Sequence, residues 1–221
     1  MIRETLNMIS EFGLAVVLLI LLIFWIRSII IWFKPKINDI WERALSKEEH
    51  TKQFRDNFRR RINSSLQINN CLNRILNFTN ADRAFIFEFH NGGHNIAGVD
   101  FAKASNTYEA LRMGVKPQMP NLQSLPLGMF APFIKGAVNG VINKKIDDFK
   151  KEGDLSSFYA LSEQGIKSIY VVGLYDEYDN PIGFVGLDYC TEDRYITKEG
   201  KIKMKQLAGK LSVMLTHNSK T

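Results

Sequence analysis

His90 and His94 lie four residues apart, the spacing that puts two imidazoles on one face of a helix and suits a zinc ion. Gly92 and Gly93 stand between them, so the segment reads as a turn, and the helix-based metal arrangement is not expected. Ser105, Tyr108 and Glu109 form a polar cluster, but no Ser-His-acid order and no nucleophile elbow accompanies them. Asn91-Gly92-Gly93-His94 is too short for a phosphate loop, and no dinucleotide glycine pattern occurs. Cys71 and Cys190 are far apart, without metal-ligand spacing, as expected of reduced thiols in a cytosolic domain. Glu88 sits inside an apolar run, where a carboxylate needs either a solvent-facing position or a partner such as Arg83 or Arg112. An enzyme is therefore not expected, and neither is a metal site.

The elements that must position these residues follow from patterning. Residues 84–90 are β-rich and stop at the Asn91-Gly92-Gly93 turn; residues 96–101 suggest a second strand. Thr107 to Met113 reads as a short helix or strand. Four of the six prolines fall in 115–134, which predicts a long irregular connection. Short helices are expected over 138–151 and 155–164. Lys167 to Leu174 and Pro181 to Tyr189 are two strong strands joined by a hairpin loop over 175–180. Thr197 to His217 is an amphipathic helix with Thr197 at its N-cap. The class is α+β: an antiparallel sheet covered on one face by the first and last helices.

Upstream of this domain the composition changes. Residues 12–33 hold 19 apolar residues out of 22. About 20 such residues cross the hydrocarbon core of a bilayer. A signal peptide is disfavoured by the weakly charged start and the bulky far end at Phe24-Trp25-Ile26. Residues 34–61 then carry nine Lys/Arg against five Asp/Glu, so much of the overall net charge of +6 is a collar beside the apolar segment. That placement fits a membrane surface better than a nucleic acid, which is not expected as a partner. Lys34, Lys36, Arg43 and Lys47 follow the segment and only Arg3 precedes it, so the C-terminal bulk is expected in the cytoplasm under an inner or plasma membrane. Pro35 marks the exit from the anchor. Apolar residues from Ile37 to Leu76 recur at steps of three and four, giving an amphipathic connecting helix, though Ser46 to Gln53 is wholly polar. The bland reading is a stalk plus the first helix of the domain; the sharper one is a helix that pairs with a second copy. The organisation expected is 1–36 for the anchor, 37–61 for the basic connecting helix and 62–221 for the globular domain.

Gly165-Ile166-Lys167-Ser168 leads into one strand, and Ile182-Gly183 opens the next at Pro181 to Asp188. A helix containing Lys203 to Leu211 closes the chain. This series resembles the end of a GAF domain, and the resemblance extends over roughly 62–217. The stretch Glu88-Phe89-His90-Asn91-Gly92 is also similar to GAF-like proteins of phages and bacteria to which no activity attaches. The signature of cyclic-nucleotide-binding members is not reproduced by Asn143 to Phe149, and no cysteine stands where bilin-binding relatives attach their chromophore. The resemblance implies a ligand pocket between the sheet and the irregular connection. His90, Asn91, Ser105 and Glu109 would then supply polar contacts, and Tyr108 and Tyr170 would line the wall, with Phe87, Phe89 and Phe101. The competing expectation is that Phe130, Phe133 and their neighbours fill that space.

Two functions stay open. One is a membrane-anchored cytoplasmic sensory or interaction module that self-associates, binds an unidentified small molecule and acts through a separate protein partner. The other is a structural or lysis-associated phage membrane protein whose GAF-like fold binds no small molecule.

Overall fold

The computed structural model describes the backbone of residues 2–94, 96, 98 and 100–217, and the side chains of 19, 21–36, 47, 49–94, 96, 98 and 101–216. The chain divides into two units, residues 1–58 and 59–221. Helix α1 (Ile2–Thr79) supplies the first unit and the opening of the second, and it continues through Pro35, where the sequence suggests a break. Among the described residues no helix is long and apolar enough to cross a membrane. The expected anchor extends over residues 12–18 and 20, whose side chains are outside the described set.

In the second unit six strands form one antiparallel sheet in the order β3-β2-β1-β6-β5-β4. They are β1 (Arg83–His94), β2 (Asp100–Leu111), β3 (Leu125–Pro126), β4 (Val141–Lys145), β5 (Ser168–Tyr175) and β6 (Pro181–Tyr189). Helices α2 (Ala131–Val138), α3 (Ile146–Lys151) and α4 (Leu155–Glu163) precede β5, and α5 (Lys198–His217) ends the described chain. The α+β reading therefore holds.

Alternation along the central strands builds two cores. Ala84, Ile86, Tyr170, Val172, Val185 and Leu187 point to one face, where Ile68, Leu72, Ile75 and Leu76 of α1 and Met204, Ala208 and Leu211 of α5 cover them. Phe85, Phe87, Ile169, Val171 and Phe184 point to the other, under α2, α3 and the long connection. The sheet is thus a shared wall, buried on both sides, which explains the nearly unbroken apolar runs of β5 and β6.

Three expectations are corrected. β1 does not stop at Asn91-Gly92-Gly93: pairing runs on to His94↔Asp100 across a register shift. A Cβ on Gly92 would come 2.7 Å from the Phe101 carbonyl oxygen, so glycine there admits the neighbouring strand instead of breaking β1. Residues 100–111 are one strand where two short elements are expected. Residues 138–151 are not simply helical, because β4 pairs with β5 before α3 begins. The start of α5 matches its expected cap, with Gly200 N donating to Thr197 Oγ1 at 3.1 Å.

Candidate functional site

A cavity lies between the second face of the sheet and the elements that cover it. Phe85, Phe87 and Phe184 form its sheet wall; Leu122 and Leu127 of the connection, Phe133 of α2 and Leu161 of α4 close it from above. Phe130 and Phe133 therefore line the space instead of filling it. Phe87 and Phe184 stack with ring centres 4.9 Å apart, and Phe133 meets Phe184 edge-on at 5.7 Å. Gly186 makes the Phe85 position possible, since a Cβ there would run into that ring. The cavity offers about 80 Å³ to water-sized molecules and opens to solvent on one side.

Polar groups sit at its floor. Arg83 on β1 and Asp188 on β6 are paired across the strands and are 2% and 1% exposed. Arg83 Nε lies 3.2 Å from Asp188 Oδ2, and Arg83 Nη1 lies 3.7 Å from Glu109 Oε1. Neither nitrogen has a directed hydrogen bond. Burial raises the Asp188 carboxyl to about 7, and the Arg83 guanidinium only partly offsets this. Asn106 Oδ1 and Ser157 Oγ, in residues each 2% exposed, also line the cavity and have no hydrogen-bond partner among the described residues. An unpaired buried polar atom costs about 1–3 kcal/mol, so these two atoms are a local cost to the fold.

Beside the floor, the side chain of Asp82 locks the end of β6 to the start of β1. Its Oδ2 accepts from Cys190 N at 2.7 Å, Thr191 N at 2.9 Å and Thr191 Oγ1 at 2.8 Å. Burial alone would raise this carboxyl, but the Thr191 and Cys190 donors, with the Arg112 charge, outweigh it and hold it below the usual range. Cys190 is half-buried, and burial with the neighbouring Asp188 pushes its thiol up to about 11. Among the described residues no cluster of His, Cys, Asp and Glu could hold a metal.

The six residues singled out from sequence lie elsewhere. None lines the cavity. His90 is exposed; its Nε2 shares a hydrogen bond with Ser105 Oγ at 2.9 Å, and Ser105 Oγ also accepts from Ser124 N at 2.8 Å. Asn91 is exposed. Glu109 accepts from Gln118 N and Met119 N, each at about 3.0–3.1 Å, and so ties the long connection to β2. Tyr108 and Tyr170 belong to the face covered by α1 and α5. The Tyr108 hydroxyl meets Ser65 Oγ of α1 at 3.2 Å, and Tyr170 is 1% exposed, with its phenol raised by burial. Glu88 pairs with neither expected arginine: Arg83 faces Asp188, and Arg112 donates to Asn80 Oδ1.

A bulge explains much of this difference. Ile86 pairs with Tyr108 but Phe87 pairs with Asn106, so Thr107 is the extra residue. Tyr108 is thereby turned to the helices and Asn106 to the cavity. Arg83 enters the sequence reading only as a partner for Glu88, and Asn106, Ser157 and Asp188 are not site candidates there. The one signal for them was Asp188 at the end of the apolar run Phe184 to Leu187.

No protein-family model and no curated protein matches the chain. Solved structures do resemble it. A far-red cyanobacteriochrome photoreceptor superposes with a TM-score of 0.57 at 10% identity, covering 79% of this chain and 98% of that one. The PixJ GAF domain of Thermosynechococcus elongatus gives 0.53 at 15% identity, covering 71% and 86%. The phycocyanobilin-bound GAF domain of a cyanobacterial phytochrome gives 0.54 at 15% identity, covering 76% and 92%. The fold is GAF-like.

Proposed function

We propose that this chain is a membrane-anchored sensory module whose GAF-like domain binds a small molecule in the cavity between the sheet and the long connection, and which performs no chemistry of its own. The observation that carries the reading is the cavity itself, walled by Phe85, Phe87, Phe133 and Phe184, with buried Arg83, Asn106, Ser157 and Asp188 among its lining residues. The likeness to sensory photoreceptor domains supports it.

The sheet gives such a ligand a route to α1. On β1, Phe85 and Phe87 face the cavity while Ala84 and Ile86, which alternate with them, face Leu72 and its neighbours in the α1 core. A ligand that shifts the Phe87–Phe184 stack displaces a strand on which α1 rests. Self-association through α1 is the expected output, read by a separate protein partner. Exposed Phe58, Ile62 and Leu66 favour that output.

The anchor reading rests on the apolar run of residues 12–33 and the cations beyond it. Exposed Phe24, Trp25, Ile31 and Trp32 support it, as surface that water does not favour.

Mass spectrometry of the full chain, purified without denaturation, tests the ligand reading. A small molecule should be released from the native chain and be absent from Ala160→Trp, which fills the cavity. Equal release from both, or none from the native chain, would contradict it.

A further inference from the structure

We infer that the cavity takes an uncharged, apolar molecule of about six heavy atoms, a single ring or a short branched hydrocarbon, held by shape and dispersion. The inference rests on the ligand reading above and names the chemistry of its ligand.

The cavity has polar residues in its lining but almost no polar surface. Among the described residues, those with polar side chains in the lining are Arg83, Asn106, Ser157, Gln164 and Asp188. Arg83 Nε and Nη1, Asn106 Oδ1 and Ser157 Oγ are sealed, so a water-sized molecule in the cavity does not touch them. Asp188 is almost fully buried, and its carboxyl turns to Arg83 and to the Cys190 thiol. Gln164 Nε2 donates to the Ala160 carbonyl at 2.9 Å, at the end of α4. A guest meets the rings of Phe85, Phe87, Phe133 and Phe184 with the side chains of Leu127 and Leu161.

That wall decides against water as the occupant. A buried water makes about two to four hydrogen bonds, and here it would keep only those reaching it through the mouth. An apolar guest gives up no hydrogen bond on entry and gains contacts that an empty cavity forgoes. The Phe87–Phe184 stack and the edge-on Phe133 offer faces and an edge to a ring.

Charge and size narrow the guest further. An ion would shed its hydration against the rings and find no counter-charge presented to it. Arg83 and Asp188 face each other, Nε 3.2 Å from Oδ2, and neither charge is offered to the cavity. About 80 Å³, at about 10–15 Å³ for each water-sized position, gives roughly five to eight positions. Benzene and neopentane are of that size; two fused rings exceed it, and an open-chain tetrapyrrole far exceeds it.

Two pairs of equal shape test this. Neopentane and tetramethylammonium differ in charge; benzene and pyrazine differ in two ring nitrogens. Naphthalene adds the second ring. Each is titrated into the full chain in lipid nanodiscs. Methyl NMR reads binding at Leu161 and Ile169 in the lining, with exposed Ile202 and Val213 as the control for partition into lipid. Neopentane and benzene should shift the lining methyls and leave the control methyls in place. Tetramethylammonium and pyrazine should bind at least about tenfold more weakly than their partners, because the wall returns nothing for their lost hydration. Naphthalene should bind at least about tenfold more weakly than benzene, because overfilling a packed site costs more than its extra apolar area returns. Ala160→Trp and Ala104→Leu, each checked for folding by circular dichroism, should remove the lining shifts. Equal or tighter cavity binding by tetramethylammonium, pyrazine or naphthalene would overturn the inference while leaving the small-molecule reading intact. Lining shifts that survive both filling variants, or no lining shift with any compound, would also overturn it. The reading beneath it is judged separately, by the molecule retained in the native chain.

Discussion

Arg83 and Asp188 face each other across β1 and β6 with Nε 3.2 Å from Oδ2, both sealed from water, and yet no directed hydrogen bond joins them. Such a pair is costly to build and more costly to break. Burial wins over the ionic attraction at Asp188, whose carboxyl stands raised from 3.8 to about 7. The floor of the cavity is therefore sensitive to charge.

One consequence is a pH dependence of stability. Between roughly pH 4 and 7 the folded chain keeps the Asp188 proton that the unfolded chain has lost. Stability must fall as pH rises through this window, by up to about 4 kcal/mol. Thermal unfolding of the domain followed from pH 5 to 8 should show this decline in the native chain. Asp188→Asn should flatten it; an equally steep decline in that variant would place the titrating group elsewhere.

Removing the cation alone should be worse than removing the pair. Arg83→Met leaves buried Asp188 without its cation, at a cost of about 3–5 kcal/mol. Arg83→Met combined with Asp188→Leu should recover much of that loss. Denaturant titration of the three chains gives the coupling directly, and strict additivity would mean the two side chains do not interact.

Gly183 illustrates what the sequence made legible. The Ile182-Gly183 pair is part of the GAF-like resemblance, and the reason is steric: a Cβ at Gly183 would collide with the Phe87 carbonyl on β1. Gly183→Ala should cost about 1–3 kcal/mol in denaturant titration, and a neutral result would show that β1 can shift away.

The hairpin of β5 and β6 and the capped helix α5 were readable because apolar period, turn residues and cap agree there. β4 was not, because an edge strand with only Val141 and Ile142 apolar carries little signal before an adjoining helix. The cavity lining was hidden by parity. One bulged residue, Thr107, exchanges which neighbour faces the cavity, and nothing local announces a bulge. Tyr170 lies between Ile169 and Val171 on β5, so it is turned away from the face its neighbours share. Ser157 joins the lining from α4, outside the sheet altogether.

The membrane reading predicts that the full chain stays with membranes after alkaline carbonate extraction, and that a C-terminal tag is protected from protease added outside intact cells. Tag digestion without lysis would reverse the orientation. Thiol labelling of Cys190 is a poor substitute, because its thiol is half-buried and raised to about 11.

An experimental structure of the natively purified full chain tests the central claim most directly. The account predicts density for a small molecule against the Phe87–Phe184 stack, in the cavity that Phe133 and Leu161 close. A cavity closed by Phe130 and Phe133, with Asn106 and Ser157 bonded to protein groups, would contradict it.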